Sequence, residues 1–189
     1  MAEAILTPPA GYPMAESLDR FGQLKADCIP KNLTGRTVLD IGGYDGRFAK
    51  LCLDRGAESA VCLDNQEWSH YQTGTWKRPQ RFEGVEYVQG DFLEWEGRYD
   101  LVLCFNVLYH CAEWENASPA LRRLTKGEMC LSTYWAAGVG GWNEYTEVGT
   151  NFKRATPTIP GLFEALGKAH FQEYHFLEVK GEMVVLRCR

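Results

Sequence analysis

Residues 38–46, VLDIGGYDG, restrict what this chain can fold into more than any other segment. A short apolar run ends in two adjacent glycines. A helical pattern follows at once, with Phe48, Leu51 and Cys52 on one face and Gly56 just past its end. Strand, glycine turn and helix form the opening of a βαβ unit. In such a turn glycine lets the backbone approach a ligand, and the start of the helix presents unpaired N–H groups to negative charge.

The remaining pattern extends that unit. Apolar runs at 36–41, 58–64, 85–91, 99–106 and 127–135 predict five strands. Helices are predicted over 17–29, with Ser17 as a cap, over 47–55, over 118–123 and over 158–169, with a further one around 67–72. Strands this continuously apolar require cover on both faces, so the expectation is an α/β fold with a parallel sheet between helices. The last stretch, FQEYHFLEVKGEMVVLRCR, reads as two strands turning at Lys180-Gly181, which adds an antiparallel hairpin at one edge.

Length and composition set the limits. At 189 residues the chain fits one domain, 1–189, opening with a helical N-terminal segment, 1–30. It is 45% hydrophobic and 24% charged, which suits a folded core rather than disorder. No apolar run approaches the ~20 residues of a membrane span, and residues 1–15 lack the basic and apolar regions of a signal peptide. Seven cysteines without a CxxC pair point to reduced thiols and a cytoplasmic setting. The net charge of −5 disfavours a nucleic-acid partner, since gripping phosphates takes positive charge. Residues 136–156 show no clear period. They carry four glycines among Trp142, Tyr145 and Phe152, and connections this long are usually functional.

The turn does not read as a dinucleotide site. Counting GxGxxG from Gly42 puts Tyr44 and Arg47 where glycines belong. The frame Asp40-x-Gly42-x-x-x-Gly46 does fit, and it suits a ligand ending in an amine and a carboxylate, such as the methionine part of S-adenosylmethionine. Asp40 is then expected to receive the ammonium, directly or through water. Asp64 ends the second strand, where an acid accepts bonds from ribose hydroxyls. Gly90-Asp91-Phe92 ends the third and can meet an adenine edge, and Phe105-Asn106 ends the fourth. These positions fall on the carboxyl edge of one sheet, where α/β folds bind ligands.

On VLDIGGYDG, VCLD, QGDF and YDLVLCFNVLYH the chain resembles the class I S-adenosylmethionine-dependent methyltransferases over nearly its whole length. The resemblance implies a Rossmann-like seven-stranded sheet of order 3-2-1-4-5-7-6, last strand antiparallel, with helices on both faces. It implies S-adenosylmethionine as cofactor and S-adenosylhomocysteine as product. The implied cofactor contacts are Asp40, Gly42, Gly43, Tyr44, Gly46, Asp64, Asn65, Asp91, Phe92, Phe105 and Asn106. Tyr44 departs from the pattern, since many members carry a third glycine there. NVLYH, ALRRLTKGEMCLSTYW and the loop before Pro157 further resemble the branch containing the tRNA wobble-uridine oxyacetate methyltransferase and its small relatives.

Methyl transfer from a sulfonium is an in-line displacement, governed mainly by holding nucleophile and methyl together. A base is needed only when the acceptor must lose a proton. His110 is the candidate base, with Tyr109 beside it as an acceptor or cofactor contact. Trp142 and Tyr145 are candidate acceptor contacts on a lid over 136–156, which Tyr12 and Phe21 are expected to complete. No metal is expected, because His110, Cys111 and Glu113 are too close in sequence to converge on one ion. The expected activity is methylation of an oxygen or nitrogen on a small-molecule or glycan-like acceptor. The alternatives are a tRNA-modifying enzyme and a catalytically silent cofactor-binding subunit.

Overall fold

The computed structural model describes residues 20–65, 81–111, 114–146, 153–180 and 183–189. Ser17, the predicted helix near 67–72, Trp68, Tyr71, Trp76 and Tyr12 lie outside them, as do the side chains of Phe21 and Tyr145.

In chain order the elements are α1 (Arg20–Cys28), β1 (Thr37–Ile41), α2 (Arg47–Asp54), β2 (Ser59–Asp64), β3 (Glu86–Gln89) and β4 (Tyr99–Phe105). A single 3-10 turn, Leu108–His110, follows. Then come α3 (Trp114–Leu124), β5 (Thr125–Tyr134), β6 (Trp142–Thr146), β7 (Lys153–Pro157), α4 (Ile159–Lys168), β8 (Tyr174–Lys180) and β9 (Met183–Cys188).

Seven strands form one sheet in the order β3-β2-β1-β4-β5-β9-β8. With β8 and β9 as the sixth and seventh strands, this is the expected order 3-2-1-4-5-7-6. The first five strands run parallel, and β9 is antiparallel to β5 and β8. Period-two alternation divides the core. Val38, Ala60, Cys62, Leu101, Leu103, Phe105 and Cys130 pack toward α1 and α2. Leu39, Ile41, Leu63, Val102, Cys104, Met129 and Leu131 pack toward α3 and α4 on the other face. Among the described residues no helix is long and apolar enough to cross a membrane. Six of the seven cysteines are buried and Cys111 is half-buried. Their burial holds Cys52, Cys62 and Cys104 above the ordinary thiol range, as suits inert core thiols.

Two elements differ from the sequence expectation. Within residues 136–156, part of the expected loop is strand. Trp142–Thr146 and Lys153–Pro157 pair antiparallel as a two-stranded sheet of their own. Neither WNEYT nor KRATP alternates as a half-buried strand does, so no period marks them. Backbone bonds anchor the hairpin base: Ala136 N–H donates to Pro157 O (2.9 Å) and Thr158 N–H to Gly141 O (3.0 Å). Thr158 then caps α4, accepting from Gly161 N–H at 3.1 Å. The second difference is α3, which begins at Trp114, ahead of Pro119, rather than at Ser118. Burial of Ala117 and the stacking of Trp114 on Trp142 support the additional turn.

At the amino edge of the sheet, Glu128 is 3% exposed. It pairs with Arg36 and lies 3.6 Å from Arg187 and 3.7 Å from Arg189, so one carboxylate joins the chain before β1 to the end of β9. Arg36 and Arg189 are exposed enough to turn to water when it is removed. Glu128→Ala should therefore lower the unfolding free energy by about 1–3 kcal/mol, less than an enclosed pair would lose. Urea denaturation reads this, and a change under about 0.5 kcal/mol would make the cluster a surface feature only.

Candidate functional site

The carboxyl ends of β1, β2, β3 and β4 and residues just beyond them line a cleft of about 240 Å³ at the carboxyl edge of the sheet. Gly42 follows β1, Asp64 ends β2 with Asn65 after it, Asp91 and Phe92 follow β3, and His110 follows β4. Leu63, Leu93 and Val107, which the sequence reading did not single out, add apolar wall together with Cys111, which it had set aside as a metal ligand. Val107 and Cys111 flank LYH, and their nearness to it was the available signal. Burial, with the Asp91 carboxylate adding to it, pushes the Cys111 thiol up to about 12, so the thiol stays protonated.

The glycine turn is held at nearly every residue. Asp40 points under it toward α2, 1% exposed, and its Oδ2 accepts the Ala49 N–H at 3.2 Å. Gly43 lies directly above. A Cβ there would stand 2.7 Å from Asp40 Oδ2 and 2.7 Å from Cys62 Sγ, so the buried carboxyl excludes any side chain at 43. Gly42 has φ +63°, and a Cβ on it would meet Val107 Cγ2 at 2.5 Å. Tyr44, where many relatives of such motifs carry glycine, takes the left-handed conformation (φ 51°) that L-residues seldom adopt. Its N–H donates to Asp64 Oδ2 at 3.1 Å, tying the turn to the end of β2. Asp45 accepts from the Arg47 N–H and guanidinium. Tyr87 of β3 closes the turn from the far side. Its hydroxyl donates to Asp45 O (2.7 Å) and accepts from Phe82 N–H (2.8 Å).

Asp40 sits beneath the site rather than in its wall, since its carboxylate is taken by the start of α2. Gly43, Tyr44 and Gly46 shape the turn behind the cleft. Phe105 faces α2, its ring edge-on to Phe48 at 5.0 Å, because the strand's alternation turns it into the core. Asn106 is a turn residue with φ 62°. Its N–H donates to Ser132 O (2.8 Å) and its Oδ1 accepts from Ser132 Oγ (3.0 Å), joining β4 to β5. Tyr109 packs beside His110 and against Tyr134, one step outside the cleft. Trp142 is half-buried and stacks on Trp114 at 4.7 Å, within 14° of parallel.

Burial pushes the Asp40 carboxyl up to about 7. The Ala49 N–H opposes that shift, and the Asp45 and Asp64 carboxylates reinforce it.

A profile described as a methyltransferase domain matches residues 11–179. No curated protein matches the chain at a significant level. Among solved structures, an S-adenosylmethionine dependent methyltransferase from Mesorhizobium loti superposes with a TM-score of 0.67 at 12% identity, over 89% of this chain and 96% of that one. The 1,6-didemethyltoxoflavin-N1-methyltransferase of Burkholderia thailandensis gives 0.61 at 21%, over 82% and 71%. The N-terminal domain of EvdMO1, crystallised with S-adenosylhomocysteine and D-fucose, gives 0.64 at 22%, over 82% and 76%. At these identities the likeness carries the fold alone.

The sign of the Asp40 effect is testable. An acid whose folded pKa lies above its unfolded value holds a proton that unfolding releases, so stability falls as pH rises from about 4 to about 7 and then levels. The slope reaches at most about 1.4 kcal/mol per pH unit. Urea melts of cofactor-free protein at pH 5 to 8 should show that decline, and Asp40→Asn should flatten it. Parallel slopes in the two proteins would place the titration elsewhere.

Proposed function

Because the chain belongs to the methyltransferase-domain family whose profile spans residues 11–179, we propose that it transfers a methyl group from S-adenosylmethionine to an oxygen or nitrogen of a small-molecule or glycan-like acceptor. The observation that carries this reading is the convergence of Gly42, Asp64, Asn65, Asp91, Phe92 and His110 on one cleft.

The residues suit such a cofactor. The turn is bare at 42 and 43, where any side chain would collide with Val107 or with Asp40 and Cys62. The Asp45 and Asp64 carboxylates both act on the Asp40 carboxyl at the turn, a negative field that favours a cation. Asp64 offers acceptor oxygens to ribose hydroxyls, and Asp91 with Phe92 offers a polar edge and an apolar face to adenine. When bound, S-adenosylmethionine supplies an electrophilic methyl group on a sulfonium.

The chain's part is to position and to shield. The cleft walls fix where an acceptor atom can stand. His110, whose ordinary pKa lies near neutrality, can take the acceptor's proton from the cleft wall. The β6–β7 hairpin packs on the turn carrying His110, which places it to exclude water from that side.

A tRNA acceptor is the second reading, favoured by the resemblance of NVLYH and ALRRLTKGEMCLSTYW to the wobble-uridine branch and opposed by the net charge of −5. Steep salt dependence of tRNA binding would favour it. Turnover by the purified chain alone would exclude the silent subunit.

S-adenosylhomocysteine should raise the melting temperature well above the effect of NAD at equal concentration. Asp64→Ala should weaken S-adenosylhomocysteine by about 1.5–3 kcal/mol, the worth of charge-assisted bonds. Calorimetry on folded variant reads it. A larger shift with NAD, or an unchanged dissociation constant in the variant, would sink the cofactor assignment.

A further inference from the structure

A row of rings begins at the cleft wall and leads out of the cleft. His110 lines the cleft. Tyr109 lies 4.1 Å from it, centroid to centroid, at 39°. Tyr134, the last residue of β5, meets Tyr109 edge to face at 4.8 Å. Tyr134 is 39% exposed, one of four large apolar side chains so open among the described residues. The row has a firm backing: β7 packs on the turn that carries Tyr109 and His110, and β5 contacts both. Trp114 stacked on Trp142 anchors the hairpin behind.

Three polar side chains near this row, those of Ser132, Thr133 and Glu144, are hydrogen-bonded within the protein. The Ser132 hydroxyl donates to Asn106 Oδ1 at 3.0 Å, and the Thr133 hydroxyl donates to Tyr134 O at 3.1 Å. Glu144 accepts from the Trp114 indole at 3.3 Å. A sugar needs a directional partner for each hydroxyl it buries, and each unpaired hydroxyl is a penalty. A flat ring needs chiefly another ring's face or edge.

Resting on the methyltransferase reading above, we infer that Tyr109, His110 and Tyr134 form the acceptor subsite, and that the acceptor is a planar aromatic or heteroaromatic molecule bearing a hydroxyl or a nucleophilic nitrogen. Tyr134 and Tyr109 seat the ring and direct its heteroatom toward His110. That heteroatom's lone pair forms the bond to the methyl carbon as the carbon–sulfur bond breaks. The electron pair of the broken bond stays on sulfur, which becomes neutral, and the acceptor's proton passes to His110.

Titration calorimetry on protein saturated with S-adenosylhomocysteine tests this, with 2-naphthol and methyl α-D-fucopyranoside as probes. The aromatic subsite requires 2-naphthol to bind at least about tenfold more tightly than the fucoside. Tyr134→Leu should weaken 2-naphthol by about 3- to 10-fold, while Tyr134→Phe keeps wild-type affinity because the ring and not its hydroxyl is used. Both variants should bind S-adenosylhomocysteine as the wild type does, which also checks that they are folded. Equal binding of the two probes, or no loss in Tyr134→Leu, overturns the aromatic subsite and leaves the methyltransferase reading standing. That reading fails separately if wild-type protein does not bind S-adenosylhomocysteine.

Discussion

The carboxyl group of Asp40, buried at the end of β1, is the constraint on which the site depends. A buried acid must be neutralised or hydrogen-bonded. Here the Ala49 N–H supplies a bond, and that bond fixes where α2 begins relative to β1. The turn between them must then pass over the carboxyl, and only glycine fits at 43. Gly42 and Gly46 are excluded from bearing side chains by Val107, just after β4, and by Tyr87 of β3. The bareness of the turn is thus a packing result, imposed from three sides. An approachable backbone beside the cleft follows from it.

The same turn is coupled to the rest of the sheet by polar contacts. Asp64 reaches from β2 to the Tyr44 N–H, and Tyr87 reaches from β3 to Asp45 O. Tyr44 tolerates a left-handed backbone because its neighbours over-determine it: Asp64 holds its N–H, and the Asp45–Arg47 pair closes the turn after it. Loss of a third glycine therefore does not abolish the turn. Across the cleft the construction is different in kind. From His110 a row of rings, Tyr109 and Tyr134, runs outside the cleft, and β7 packs on the same turn.

Much of this was legible in the chain. Five apolar runs and the glycine turn are dictated by local pattern, because a parallel strand covered on both faces has to be apolar at nearly every position. Asp64, Asn65, Asp91, Phe92 and His110 follow from counting to strand ends, and they meet at one cleft. Phe105 did not follow that rule, since which face a strand's last residue takes depends on its register, and the register turns Phe105 toward Phe48. Asn106 likewise turned to Ser132 on the adjacent strand, a partner 26 residues away in sequence.

The sequence by itself determined the strand and helix alternation, the antiparallel edge and the positions of Asp64 and Asp91 at the cleft, because these rest on periodicity and on local turn chemistry. Only the tertiary structure decided the rest. The β6–β7 hairpin has no amphipathic period and exists through pairing across 142–157 and through its anchorage at Thr158. The burial that lifts Asp40 needs α2, β2 and the turn to close over it together. The ring row from His110 to Tyr134 joins residues of the 108–110 turn to the end of β5, and no spacing along the chain encodes a contact that only sheet order creates.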